Sequence, residues 1–126
     1  MVRVLLADDL EDIRTLLTLV LRNTGGVEVV GQAADGEQAI ALAHSLRPDV
    51  VVLDLDMPGT TGWYALPEIR RRVPTARVIV YSAVIGAQDE ETLLASGAHA
   101  VVRKDGSSLS TLVEAISSVT DELEAG

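Results

Sequence analysis

The sequence predicts an α/β domain organised around a five-stranded parallel sheet, and three observations carry that prediction. Short β-branched runs alternate five times with stretches whose apolar residues recur at helical spacing. Polar groups fall at or just past the end of four runs: Asp8-Asp9, Asp54, Ser82 and Lys104. Right-handed crossovers bring such strand ends out on one side of a parallel sheet, where open α/β sheets bind ligands. The third observation is size. At 126 residues, 48% of them hydrophobic, the chain reads as one domain over 1–126 with a single core.

Strands are expected near 3–7, 27–32, 49–54, 77–82 and 99–103, and helices near 10–23, 36–46, 63–72, 88–96 and 107–123. The first strand, Val4-Leu5-Leu6-Ala7, leads into a helix with Leu10, Ile13, Leu17, Val20 and Leu21 on one face. The second helix opens with Asp35-Gly36-Glu37-Gln38, an acidic N-cap with a Gln three residues on. The third strand is Val50-Val51-Val52-Leu53. Pro67 conflicts with a helix starting at 63, so a later start with Pro67 in the first turn is expected. Arg70-Arg71-Arg72 then forms a solvated helix end favoured by the macrodipole. Gly97 stops the helix that follows Val78-Ile79-Val80-Tyr81. The last helix follows Val101-Val102, takes Ser107 or Ser108 as its cap, and is expected to bury Leu109, Leu112, Val113, Ile116 and Leu123.

Bulk properties exclude several classes. No apolar run reaches the roughly 20 residues that span a bilayer, and acid follows the N-terminus too soon for a signal peptide. Zero cysteines leave no disulfide framework and no thiolate metal site, which is compatible with a cytoplasmic protein. A net charge of −9 repels nucleic acid, so no direct DNA or RNA contact is expected from this domain. His44 and His99 lack partners at metal-ligand spacing and read as ordinary placements. Trp63 and Tyr64 are expected to plug the base of the third helix, with one available as a contact.

The chemistry lies at the strand ends. Carboxylates gathered from two strands repel one another unless a cation sits among them, and hard oxygen donors suit Mg²⁺. Asp54 could then serve as a nucleophile, with Lys104 pairing one phosphoryl oxygen and Ser82 donating to another. A plainer reading makes Asp8 and Asp9 helix-capping acids, and Asp54 and Asp56 turn acids before Pro58-Gly59.

With Asp8-Asp9, Leu53-Asp54-Leu55-Asp56-Met57-Pro58-Gly59, Ser82-Ala83 and Lys104 in place, the whole chain resembles the receiver domain of bacterial two-component response regulators. Gly97 to Asp105, with Asp after Lys104, is most similar to the NarL/FixJ subfamily. The resemblance implies a flavodoxin-like fold with strand order 2-1-3-4-5. It implies that Asp54 accepts a phosphoryl group from a histidine kinase, assisted by Ser82 and Lys104. Mg²⁺ would be held by Asp9, Asp54 and the backbone carbonyl of Asp56, with Asp8 acting through water. Signalling would alter contacts of the helix 4–strand 5–helix 5 face with a homodimer mate, an output helix-turn-helix domain or a separate protein. A full-length regulator of that subfamily would continue through a linker into the helix-turn-helix.

Two departures stand out. Receivers usually carry Tyr or Phe three residues before the lysine, and here that position is Val101. Strand alternation puts Val101 on the same face as Arg103, and Tyr81 is the other neighbour that could serve switching. The second departure is Asp56, whose carboxylate could repel the phosphoryl group or orient the attacking water. Other functions fit less well. A haloacid-dehalogenase-type phosphatase shares the Asp54/Asp56 spacing, but has Thr or Val where this chain has Pro58, and normally needs a cap or a longer loop to admit substrate. A flavodoxin needs a phosphate-cradling loop where Asp8-Asp9 repels phosphate. A receiver that no longer accepts phosphate and serves only as a dimerisation module is disfavoured by the intact acidic set and kept open by Val101.

Overall fold

The computed structural model of the protein describes residues 1–106 and 108–125. The chain runs β1 (Val2–Ala7), α1 (Glu11–Arg22), β2 (Val27–Ala33), α2 (Gly36–Leu46), β3 (Val50–Leu53), α3 (Gly62–Arg72), β4 (Arg77–Ser82), α4 (Asp89–Ala95), β5 (Ala98–Arg103) and α5 (Ser108–Ala125). All strand pairings are parallel and the sheet order is β2-β1-β3-β4-β5. This is the flavodoxin-like order expected from the resemblance, and it reverses between β1 and β3, the position at which such sheets bind ligands.

Period-two alternation divides the core. Leu5, Val51, Leu53, Val78 and Val80 face α2, α3 and α4, where they meet Ala39, Ile40, Ala43, Leu66, Ile69 and Leu93. Val4, Leu6, Val50, Val52, Ile79 and Tyr81 face the other way, against Leu17 and Leu21 of α1 and Leu112, Ile116 and Val119 of α5. The central β3 is buried on both faces, which is why its run is continuously apolar. Among the described residues, no helix is long and apolar enough to cross a membrane.

Several helical details differ from the sequence expectation. Leu10 is 55% exposed, because it precedes α1 with extended backbone and so falls outside the helical stripe. In α5, Leu112, Ile116 and Val119 are buried, whereas Leu109 and Val113 are half-buried and Leu123 is exposed. The covered stripe is narrower than the apolar pattern, and it continues to Val119. Of the two serines offered as caps, Ser107 lies outside the described residues, and Ser108 opens the helix itself. The Asp35 cap forms, accepting from the Gln38 amide at 2.8 Å, while the Gln38 side chain accepts from Ala34 and not from the cap residue.

The late start proposed for α3 is incorrect. The helix begins at Gly62, capped by Thr61, and Pro67 lies in its interior. A tertiary contact holds that start: the Gly62 amide donates to the Leu55 carbonyl at 3.1 Å, and a Cβ at Gly62 would overlap the Asp54 backbone oxygen. Pro67 is exposed, so the carbonyl deprived of its donor lies on the solvent side. Trp63 and Tyr64 are both exposed and plug nothing. The plug role falls instead to Ala65, Leu66 and Ile69, the buried stripe of α3. Gly97 ends α4 as expected, with φ of +110° that a side chain would strain.

Candidate functional site

Parallel register assembles the site. Ala7 pairs with Leu53, Leu53 with Val80, and Ser82 with Arg103. The next residues out are Asp8, Asp54 and Lys104, tied by Asp54 N–H to the Ala7 carbonyl at 2.9 Å and Lys104 N–H to the Ser82 carbonyl at 3.0 Å. Asp8, Asp9, Asp54, Ser82 and Lys104 thus meet at one sheet edge through backbone pairing, before any side chain interacts.

Side-chain contacts then organise the cluster. The Lys104 ammonium lies 2.5 Å from Asp8 Oδ2 and 3.5 Å from Asp54 Oδ2. Asp8 Oδ1 accepts the Leu10 amide at 3.0 Å, and Asp54 Oδ1 accepts the Asp56 amide at 3.3 Å. Asp8 and Asp54 are buried, whereas Asp9 and Asp56 are exposed. The capping reading of Asp8 and Asp9 finds little support. No side chain caps α1, and Asp8 reaches only the amide of Leu10, the residue before the helix.

The electrostatics are unbalanced by design of the site. Burial pushes the Asp54 carboxyl above the usual carboxylate range. The nearby Ser82 hydroxyl and the Lys104 ammonium oppose that shift, and the Asp8 charge adds to it. Burial also disfavours the charge on Lys104, but its hydrogen bond to Asp8 and the charges of Asp54 and Asp8 outweigh this, holding the ammonium above the usual lysine range. One ammonium thus bridges two buried acids, with the exposed Asp9 carboxylate beside them.

Two observations fit a metal ion here. Carboxylate oxygens of Asp8, Asp9 and Asp54 lie within 4.8 Å of one another, and an all-oxygen acidic set suits Mg²⁺. Asp8 is held by the shorter contacts, at 2.5 and 3.0 Å, whereas those of Asp54 are 3.3 and 3.5 Å, so Asp9 and Asp54 are the more loosely held donors. Beside Asp54, Ser82 Oγ is the one fully buried side-chain polar atom among the described residues that makes no hydrogen bond. A buried hydroxyl without a partner costs stability, so its position in a site is informative.

We expect Asp9→Ala to raise the melting temperature in EDTA by about 2 °C, since it relieves like-charge repulsion. The same variant should bind Mg²⁺ more weakly. A clearly lower melting temperature would mean that Asp9 serves the fold first.

Around the cluster, Val101 is half-buried against the α3–α4 side, and Arg103 shares that face as alternation predicts. Arg103 lies 3.6 Å from Glu90 of α4 and donates to the Gly86 carbonyl at 3.4 Å. Tyr81 points to the opposite face, buried, with its hydroxyl 2.9 Å from Ser108 Oγ. Its ring centre lies 5.4 Å from the Lys104 ammonium. Tyr81 is the neighbour that the sequence offers for switching, but its bond to Ser108, 27 positions away, leaves no local signal.

The remaining polar residues are placed more simply. His44 is exposed, and His99 lies 4.0 Å from Glu122. Arg71 and Arg72 pair with Glu68 at 2.8 and 3.4 Å, while Arg70 folds back onto the carbonyls of Pro74 and Ala76.

Comparison with known proteins gives one consistent result. The family profile described as "Response regulator receiver domain" matches residues 4–117. The chain is 38% identical over 102 residues to the nitrate/nitrite response regulator protein NarL of Escherichia coli (strain K12), covering 81% of this chain and 47% of that protein. It superposes on the response regulator domain of Thermotoga maritima CheB with a TM-score of 0.86 and 30% identity, covering 96% and 97% of the two chains. It also superposes on a chain of the CheX-CheY-BeF3-Mg²⁺ complex from Borrelia burgdorferi, with a TM-score of 0.85 and 30% identity over 94% and 88% of the two chains. The chain spans about half the length of the first curated relatives it matches.

Proposed function

The chain belongs to the response regulator receiver domain family, and on that premise we propose that Asp54 accepts a phosphoryl group from a histidine kinase. The observation that carries this reading is the meeting of three carboxylates, one ammonium and an unpartnered buried hydroxyl at a single sheet edge. An Asp54 carboxylate oxygen attacks phosphorus, an O–P bond forms, the P–N bond to the kinase imidazole breaks, and its electron pair stays on that nitrogen. Lys104 moves from Asp8 and Asp54 toward a phosphoryl oxygen, and Ser82 donates to another. Asp9, Asp54 and the Asp56 carbonyl would hold Mg²⁺, with Asp8 acting through water. The ion, when bound, would neutralise charge on the acids and the phosphoryl oxygens.

The output is a change of contacts on the α4–β5–α5 face, with a second copy, an output helix-turn-helix domain or a separate protein. A cytoplasmic location and the absence of catalysis beyond the acceptor chemistry belong to the same reading. The solved relative with beryllofluoride and Mg²⁺ supports it by likeness. Intact mass after incubation with acetyl phosphate and Mg²⁺ tests it. One added phosphoryl group is expected, and an unmodified protein would overturn the reading.

The response on the α4–β5 face should be modest. Val101 is small and stiff at χ1, so it cannot sweep into space vacated by Ser82 as a ring does. Beryllofluoride with Mg²⁺ is expected to cause small amide shifts in α4 and β5, and Val101→Tyr should enlarge them. Large wild-type shifts there would show that switching on this face needs no ring at that position.

A further inference from the structure

We propose that Tyr81 is the positioning residue that passes the state of the Asp54 site to the N-terminus of α5. The inference rests on the phosphoacceptor reading above, and it names a route that leaves the α4–β5 face.

Tyr81 touches both groups expected to move and the helix that would respond. It is covalently joined to Ser82, whose buried Oγ has no hydrogen bond. Its ring lies 5.4 Å from the Lys104 ammonium, within the range at which a cation and an aromatic face attract. Its hydroxyl, at the far end of the ring, lies 2.9 Å from Oγ of Ser108, the first residue of α5. Both hydroxyls are buried, so the pair cannot exchange its bond freely for water.

Lys104 links the same elements along the backbone. Its amide bonds to the Ser82 carbonyl at 3.0 Å, and the Ser108 amide bonds to the Asp105 carbonyl at 3.2 Å. A phosphoryl group on Asp54 draws the ammonium away from its present partners and pulls Ser82 inward. Each movement shifts the ring from one side, and the ring's other end holds α5. Two hydrogen-bonded hydroxyls in a packed core respond by keeping or breaking their bond, since dense packing leaves little room for intermediate positions. Val101, on the opposite face, has no comparable polar link to α5.

The test uses the protein with Mg²⁺, with and without beryllofluoride, read by amide chemical shifts, beside acetyl phosphate labelling read by intact mass. In the wild type, beryllofluoride should shift the amides of Ser108 and Leu109. In Tyr81→Phe, which keeps the ring near Lys104, those shifts should fall at least about twofold while labelling persists. Ser108→Ala should reproduce the loss from the other end of the bond, and serves if Tyr81→Phe folds poorly. A residue that only filled space would leave the difference between the two states unchanged. Labelled wild type with full α5 shifts in both variants would overturn the inference alone. Wild type that takes no phosphoryl group would overturn the acceptor reading and the inference with it.

Discussion

Asp54→Asn is expected to abolish the phosphoryl mass increase that acetyl phosphate and Mg²⁺ produce in the wild type. The amide keeps the size and one acceptor oxygen of the carboxylate but lacks its nucleophilic charge. Asp8 and Asp9, though close, should not substitute. Asp8 is held more tightly by Lys104 and the Leu10 amide, at 2.5 and 3.0 Å, and Asp9 is exposed, whereas Asp54 is buried and loosely held. Persistent labelling of the variant would move the acceptor to one of them. The same variant carries a stability signature. Burial raises the folded-state pKa of Asp54, so its contribution to stability is fully present below the ordinary aspartate value and is lost as pH rises through the raised value. At neutral pH in EDTA, Asp54→Asn should therefore melt higher than the wild type, and the gap should close on acidification as Asp54 takes up its proton.

Lys104→Ala should produce the largest loss of stability of any site variant. It leaves Asp8 and Asp54, with side chains 4% and 6% exposed, without the ammonium that bridges them. Removing one partner of a buried ion pair costs several kcal/mol, and about 3 kcal/mol is expected here because Asp54 can protonate in compensation. The pH dependence follows from both shifts. Lys104 has a raised folded pKa, so its contribution is fully present below the ordinary lysine value and lost only as pH rises through the higher folded one. The variant's deficit should be full at neutral pH and shrink in acid, where the abandoned carboxylates take up protons. Mg²⁺ should recover part of it, through a second cation at the same acids. Urea melts in EDTA and in Mg²⁺ would measure both effects. An unchanged midpoint in EDTA would show that the acids are solvated well enough to need no cation.

Sequence alone determined the elements that rest on local periodicity and chain polarity. The five β-branched runs, the stop at Gly97, the Asp35 cap and the convergence of Asp8, Asp9, Asp54, Ser82 and Lys104 are all consequences of spacing. Strand ends in a parallel sheet must share an edge, so residues at those ends could be grouped before any fold was known. The one-face placement of Val101 and Arg103 was legible for the same reason, since alternation is a property of every strand.

Only the tertiary structure decided what depends on contacts between distant residues. The start of α3 is one case: helix propensity at Pro67 argued for a late beginning, but the Gly62 amide bonding to Leu55 across the Asp54 turn set it earlier. The exposure of Leu10, Leu123, Trp63 and Tyr64 is another, because an apolar residue is covered only where a neighbouring element reaches it. The division of labour among the acids also came from packing. Asp8 and Asp9 are adjacent in the chain, yet one is buried against Lys104 and the other faces solvent. Last is the Tyr81–Ser108 pair, joining residues whose separation carries no periodic signal. Local patterns report which way a side chain faces, whereas its partner is chosen by the burial of both groups in the assembled core, where an unpaired hydroxyl is costly.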